Sequence, residues 1–186
     1  MSLLTIHSED RPEDVEVVRD PEAIAKKLWE IGVLFERWTA DQEFSADADQ
    51  DAVIAAYRHS IDRLIDRYEF RSVDVISIQP DHPQKAELRA KFLSEHTHDD
   101  FEVRFFVEGK AIFYLHPNDK VYMVLCEQGD LISVPAHTRH WFDMGENPNL
   151  KAIRLFTTPE GWVAQFTGQK ISDIFPKLEQ FLAQYA

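Results

Sequence analysis

Seven short segments rich in β-branched and aromatic residues follow one another after residue 70, and they constrain the fold more than any other feature. They are VDVISIQ (73–79), VRFFVEG (103–109), KAIFYLH (110–116), VYMVLCE (121–127), DLISVP (130–135), RHWFDM (139–144) and KAIRLFT (151–157). Turn signals separate several of them, namely HPND (116–119), QGD (128–130) and GENPN (145–149). Val, Ile and Phe favour strands, whereas Gly, Pro, Asn and Asp favour turns. This pattern predicts a mainly β fold, an all-β sandwich or barrel, whose core lies in residues 71–160.

The segment before this β-rich region has helical patterns instead. Asp20 and Pro21 supply an N-cap and a proline for the first helical position, and Gly32 supplies a stop. A longer apolar stripe at helical spacing covers residues 53–68. We therefore expect residues 1–70 to be largely helical and to pack on the barrel.

Two further helices are expected outside that segment. Residues 83–93, PQKAELRAKFL, interrupt the strands with a helical pattern. The tail ISDIFPKLEQFLAQY (171–185) has a second one, with Pro176 in its first turn. Because the sequence contains no repeat, low-complexity stretch or linker, residues 1–186 are predicted to form a single domain.

Charge and cysteine content exclude several classes of protein. The 186 residues have a formal net charge of −13, which disfavours nucleic acid or an anionic membrane as a partner. Cys126 is the one cysteine, so an intramolecular disulfide is impossible, and its apolar surroundings predict a buried side chain. No segment has the pattern of a signal peptide or the length of a membrane span. We expect a protein of the reducing cytoplasm.

The stretch EHTHDDFEVRFFVEG (95–109) places polar side chains where a strand pattern requires apolar ones. His96, His98 and Glu102 have the same parity, so on a strand they face one side, with a bulge or turn at Asp99 and Asp100. Neutral imidazoles and a carboxylate are ligands for iron, nickel, manganese or zinc. We therefore predict a metal site inside the barrel.

A fourth ligand is available from a second segment, GDLISVPAHTRHW (129–141). It contains both His137 and His140, and a loop after a strand can present either imidazole. The remaining histidines are interpreted as surface or hydrogen-bonded core residues, and these are His7, His59, His82 and His116.

The two histidine segments resemble the motifs of the cupin superfamily. H-x-H-x3-E-x6-G runs from His96 to Gly109, and G-x5-P-x4-H runs from Gly129 through Pro135 to His140. The departures from the usual pattern are Ala90 for a leading glycine, His137 for the glycine after the proline and Met144 for a closing asparagine. The resemblance implies a cupin-type β-barrel or jelly roll with N-terminal helices and a C-terminal helix.

Longer blocks resemble one cupin family, the bacterial-type acireductone dioxygenases of methionine salvage. These blocks are FERW (35–38), AKFLSEHTHDDFEVRFFVEG (90–109), GDLISVPAHTRHWFDMG (129–145) and IRLFTTPEGWVA (153–164). The resemblance covers nearly the whole chain. It implies that His96, His98, Glu102 and His140 bind one Fe²⁺ or Ni²⁺ per chain, and that Arg104 helps to generate and hold a substrate dianion.

The resemblance implies weaker roles for two neighbouring residues. Glu95 corresponds to a position linked to metal acquisition, and Phe101 to one that relays changes of shape at the site. An exposed carboxylate and a core aromatic are the simpler interpretations of these two side chains. Trp141 and Phe142 can line a pocket for the substrate's methylthio tail or pack in the core.

The activity implied by the resemblance is the cleavage of 1,2-dihydroxy-3-keto-5-methylthiopentene, an acireductone, with O₂. The products are formate and 4-methylthio-2-oxobutanoate with iron, or formate, CO and 3-methylthiopropanoate with nickel. The expected partners are the substrate and O₂, and the expected state is a monomer. The alternatives are another metal-dependent cupin dioxygenase or isomerase, and a non-catalytic cupin that binds small molecules.

Overall fold

The computed structural model describes residues 1–45, 47–158 and 163–185, and within these ranges the chain forms twelve strands and five α-helices. The strands are β1 (Leu3–Ser8), β2 (Val15–Val18), β3 (Leu34–Arg37), β4 (Ser72–Ile78), β5 (His96–Thr97), β6 (Glu102–Glu108), β7 (Lys110–Leu115), β8 (Lys120–Glu127), β9 (Asp130–Val134), β10 (His140–Asp143), β11 (Leu150–Phe156) and β12 (Gln165–Phe166). The helices are α1 (Pro21–Trp29), α2 (Gln50–Ala56), α3 (Arg58–Tyr68), α4 (Lys85–Phe92) and α5 (Leu178–Tyr185). None of the helices in these ranges combines the length and apolar character of a membrane-spanning segment.

Two antiparallel sheets enclose the main core. The larger has the order β12-β5-β10-β7-β8-β1-β2, and the smaller has the order β3-β9-β6-β11-β4. Phe113 and Val124 of the larger sheet lie in one apolar cluster with Phe106 and Ile132 of the smaller. The predicted cupin-type barrel with flanking helices is therefore confirmed.

Side chains alternate between the interior of the barrel and its outer faces. On β6, Phe106 enters the interior cluster, whereas Phe105 lies in a second cluster beneath α2 and α3. On β7, Phe113 points inward and Tyr114 packs outward against α5. Residues two apart on a strand share a face, so Glu102 and Arg104 of β6 point into the barrel as Phe106 does.

The first seventy residues are less helical than the sequence predicts. β1 pairs with β8 along six positions, β2 extends the same sheet, and β3 pairs with β9. Leu4 packs in the interior cluster and Leu3 on the outer face, so β1 is buried on both sides and lacks an alternating pattern. The prediction of a largely helical segment is thus wrong for these strands, because distant strands stabilise them.

The first helix of this segment begins where the sequence predicts, and the second is divided. The Asp20 side chain accepts a hydrogen bond from the Ala23 amide at 2.9 Å and caps α1. The second predicted helix is divided at Tyr57, whose φ of −108° and ψ of 14° are not helical. Asp49 caps its first half through the Ala52 amide at 2.7 Å.

The C-terminal helix is shorter than predicted and is held to the barrel through Asp143, which also forms an ion pair with α4. Residues 171–173 form a 3₁₀ turn, and α5 begins at Leu178, so Pro176 precedes the helix. Arg89 of α4 donates two hydrogen bonds, of 2.7 and 3.0 Å, to Asp143 of β10. Asp143 also accepts the Leu178 amide at 2.8 Å. Burial opposes ionisation of Asp143, but these hydrogen bonds hold its pKa below the usual value.

Candidate metal centre

Four side chains from three strands converge at one end of the barrel interior. His96 lies on β5 and directly opposite His140 of β10, His98 follows β5, and Glu102 begins β6. One ligand atom from each lies within 4.8 Å of the others, and all four residues are buried. The structure therefore brings together the four side chains for which the sequence predicts a shared site.

A backbone carbonyl fixes the orientation of each imidazole. The pairs are His96 Nδ1 with Ser94 O at 2.6 Å, His140 Nδ1 with Thr138 O at 2.7 Å, and His98 Nδ1 with Val163 O at 3.3 Å. A carbonyl can only accept a hydrogen bond, so each Nδ1 carries the proton. In each ring Nε2 is left to face a ligand, which is the arrangement of metal-binding histidines.

Glu102 supplies the negative charge of the site. Its Oε2 lies 2.9 Å from Nε2 of His98 and 2.9 Å from Nε2 of His140. With the protons on Nδ1, these contacts bring lone pairs towards a carboxylate oxygen, and only a cation between them makes the arrangement favourable. The donor set of three imidazoles and one carboxylate therefore fits a transition-metal ion.

The protonation states also suit a metal ligand set. Burial, reinforced by the neighbouring His140, lowers the pKa of His96 to about 4, so this imidazole is neutral at pH 7. Burial opposes the ionisation of Glu102, but the Arg104 guanidinium holds its pKa well below the usual value. A metal ion requires these deprotonated forms of imidazole and carboxylate.

Arg104 lies beside the four-residue cluster and is buried with it. Its Nη2 is 3.0 Å from Oε1 of Glu102, the oxygen that does not face the histidines. The guanidinium carbon lies 4.3 Å from the centre of the Phe142 ring and 5.4 Å from that of Phe113. Arg104 thus places a positive charge next to the cluster, with its guanidinium packed against the two aromatic rings.

A cavity of about 160 Å³ opens onto these residues. Its lining consists of Lys91, Phe92, His96, His98, Glu102, Arg104, Phe142, Arg154, Ala164 and Phe166. Two larger cavities, of about 390 and 420 Å³, lie around Gly145 and Glu179, and their lining in the described ranges includes none of the cluster. The smaller cavity can bring a small molecule to the cluster, because three of the four cluster residues, His96, His98 and Glu102, line it.

Glu95 and Phe101 differ from the simpler interpretations of their side chains. Glu95 is 1% exposed, and its carboxylate accepts hydrogen bonds from His116 Nδ1 at 2.6 Å and Thr167 Oγ1 at 2.8 Å. Burial opposes ionisation, but these two bonds keep the pKa of Glu95 below its usual value. Phe101 is 41% exposed rather than in the core. Neither residue belongs to the cluster of ligand atoms found among the described residues.

The structure also separates the two candidate histidines of the second segment. His140 is buried in the cluster, whereas the His137 side chain is 72% exposed and 3.5 Å from Asp99. The His137 backbone has a φ of +65° and donates its amide to the carbonyl of His98 at 2.8 Å. This left-handed conformation favours glycine, which explains why the general cupin motif has glycine there.

Several residues around the site receive no role from the sequence patterns. Lys91, Arg154 and Phe166 line the cavity from three different elements or their flanks, and sequence spacing does not relate them. His116, interpreted as a surface or hydrogen-bonded core histidine, is the latter, since it is 2% exposed and bonded to Glu95. Its position directly after a buried strand was the one available signal. Residues 159–162 of the block IRLFTTPEGWVA lie outside the described residues.

Comparisons with known proteins agree with this geometry. A sequence profile of the ARD/ARD′ family matches residues 4–164. An acireductone dioxygenase of Methylococcus capsulatus is 63% identical over 186 residues, all of both chains, and one of Aquifex aeolicus is 59% identical over 97% of this chain and 98% of its own. A solved acireductone dioxygenase from Bacillus anthracis, with a cadmium ion in its active centre, has a TM-score of 0.78 at 33% identity and covers 89% of this chain and 98% of its own. This chain belongs to the ARD/ARD′ family.

Proposed function

We propose that this protein is a metal-dependent acireductone dioxygenase. The observation that carries the proposal is the convergence of three imidazoles and one carboxylate on one another, beside a small cavity that Arg104 also lines. The 63% identity to an acireductone dioxygenase over the full chain supports the same substrate. The proposed substrate is 1,2-dihydroxy-3-keto-5-methylthiopentene, and the second substrate is O₂.

The residues proposed to hold one Fe²⁺ or Ni²⁺ are His96, His98, Glu102 and His140. Imidazole and carboxylate ligands suit both ions. When bound, such an ion would supply a Lewis acid that binds and orients the two oxygens of the ene-diol. The carbonyls of Ser94, Thr138 and Val163 hold the Nδ1 protons, so the three rings keep their orientation.

Arg104 is proposed to stabilise the negative charge of the deprotonated ene-diol. Its guanidinium lines the cavity and is 97% buried, so the charge acts in a medium that screens it weakly. An arginine keeps its charge at any physiological pH and offers several N–H donors to anionic oxygens. Because the position of Arg104 is set by Glu102 and the Phe142 ring, little reorganisation is needed when the substrate ionises.

The proposed products depend on the metal. With iron the cavity yields formate and 4-methylthio-2-oxobutanoate, and with nickel it yields formate, CO and 3-methylthiopropanoate. Both product sets contain all the atoms of the substrate and one O₂, so neither reaction needs another oxidant. The first set returns the carbon skeleton of methionine, which places the reaction in a methionine salvage pathway.

Further parts of the proposal concern the two flanking residues and the state of the protein. Glu95 is proposed to act in metal acquisition, and Phe101 to relay changes of shape, through positions beside the ligand segment and not through contact with the substrate. The protein is proposed to act as a monomer in the cytoplasm. Its net charge of −13 opposes self-association.

The test uses metal-stripped protein that is reloaded with either Fe²⁺ or Ni²⁺. Each form is mixed with acireductone in air, and oxygen uptake and products are measured. The proposal predicts enzyme-dependent oxygen uptake, with a keto acid from the iron form and CO from the nickel form. Oxygen uptake no faster than in metal-free protein, for both ions, would contradict the proposal.

A further inference from the structure

One wall of the cavity is a short segment near the end of the chain, residues 163–167, which we call the strap. The carbonyl of Val163 accepts the Nδ1 proton of His98 at 3.3 Å. The Phe166 ring lies 5.8 Å from the His96 ring, and Ala164 and Phe166 line the cavity. The strap therefore contacts two of the four cluster residues and faces the space for substrate.

Among the described residues, the strap has few attachments to the barrel. Its strand β12 is the edge of the larger sheet and pairs with β5 at only two positions, Gln165 with Thr97 and Phe166 with His96. The Gln165 side chain donates a hydrogen bond to Asp99 at 2.8 Å, but this bond is exposed to water. Phe166 is 52% exposed, so apolar burial adds little to the stability of the strap.

The strongest attachment lies at the end of the strap. The Thr167 amide donates to the carbonyl of Glu95 at 3.0 Å, and its hydroxyl donates to Glu95 Oε1 at 2.8 Å. The other oxygen of Glu95 accepts from His116 at 2.6 Å, and the His116 amide is bonded to the carbonyl of Arg139 at 2.8 Å. The carboxylate is thus held rigidly by one partner and binds the strap through the other.

We propose that Thr167 is a positioning residue for the reaction. Its two hydrogen bonds to Glu95, whose carboxylate is also held by His116, keep the strap in place as a wall of the cavity. The inference rests on the proposed function only for its kinetic part. A hydroxyl that donates to a buried carboxylate forms a charge-assisted hydrogen bond, which is stronger than the neutral bonds along β12. When this bond is absent, the strap opens more often, the cavity loses its wall and substrate binds more weakly.

The test compares Thr167→Val, which removes the hydroxyl but keeps the shape, with Thr167→Ser, which keeps the hydroxyl. Thr5→Val is the control, because the Thr5 hydroxyl likewise forms a hydrogen bond to a nearby side chain, at 2.9 Å to His7, on a strand outside the cavity lining. In the metal-loaded protein, Thr167→Val is expected to exchange the amide hydrogens of the strap at least about tenfold faster, equivalent to about 1.4 kcal/mol. Thr167→Ser and Thr5→Val should exchange them at the wild-type rate.

The kinetic arm uses the same variants. Thr167→Val is expected to raise the KM for acireductone at least about tenfold, with kcat changed by less than about threefold and metal content kept at one ion per chain. Wild-type exchange and KM in Thr167→Val would overturn the inference, and so would loss of metal without a change in KM. The exchange measurement needs no substrate, so it still tests the strap if the wild-type protein proves to have another activity.

Discussion

Replacing Arg104 by methionine tests whether its charge offsets that of Glu102. Methionine keeps an unbranched side chain of similar length against the Phe142 ring and removes the cation 3.0 Å from the carboxylate. At that separation, and with an effective dielectric constant of about 20, two unit charges attract by about 5 kcal/mol. Because burial weakens the hydration of both groups, losing one partner of such a pair costs roughly 3–5 kcal/mol.

The loss should depend on the metal. In metal-free protein, Arg104 is the permanent cation that lies beside the buried carboxylate of Glu102. We expect the free energy of unfolding of metal-free Arg104→Met to fall by roughly 3–5 kcal/mol. With a divalent ion bound, the ion neutralises the carboxylate, and the loss should be less than half as large.

The assay is urea unfolding of the wild-type and Arg104→Met proteins, with and without metal, at constant pH. The double variant Glu102→Gln/Arg104→Met is the control, because it removes both charges and should recover stability in the metal-free state. An equal loss of stability in the metal-free and metal-bound forms would refute this account of Arg104. In the same variant, metal content should stay near normal while the optical spectrum of anaerobically bound acireductone no longer reports the dianion.

Three further outcomes are expected. His140→Ala should lose most bound metal in elemental analysis, whereas His137→Ala should retain it. The reverse result would show that His137, and not His140, is the fourth ligand. Asp143→Asn should lose roughly 3–5 kcal/mol at pH 7, since it breaks the buried pair with Arg89. The pKa of Asp143 is lowered in the folded protein. Its contribution to stability is therefore complete above the ordinary value of 3.8 and is lost as the pH falls through the folded pKa. A difference in unfolding free energy between wild type and variant that stays constant below about pH 4 would contradict this. The Cys126 thiol, whose pKa burial raises well above 9.0, should react with a disulfide reagent only on unfolding, and fast reaction of the native protein would contradict its burial.

The sequence predicts best those parts of the fold that depend on local patterns. The strands after residue 70 and helix α1 follow from residue periodicity and capping. β1 and β3 do not follow from local patterns, because they are stabilised by pairing with β8 and β9, which lie far along the chain. The break at Tyr57 is likewise tertiary, since its ring packs edge-on against Phe105 of the barrel.

At the metal centre, the sequence spacing identifies three ligands, and a second motif is needed for the fourth. The three do not share one strand face as the spacing predicts, because His96 lies on β5 of the larger sheet, His98 follows it, and Glu102 begins β6 of the smaller sheet. The bend at residues 99–100 brings them together, and His140 joins them through the pairing of β10 with β5. The partners of the ligands are backbone carbonyls, which have no sequence signature. The contact of buried Glu95 with His116 also cannot be predicted from a local pattern, because the two residues are 21 positions apart in the sequence.

The most direct test of the account is to measure bound metal and reaction products on the same protein samples. Protein reloaded with Fe²⁺ should contain one ion per chain and convert acireductone and O₂ to formate and 4-methylthio-2-oxobutanoate. Protein reloaded with Ni²⁺ should contain one ion per chain and release CO. Full loading with either ion, accompanied by no consumption of acireductone beyond the rate without enzyme, would contradict the assignment of this centre to acireductone cleavage.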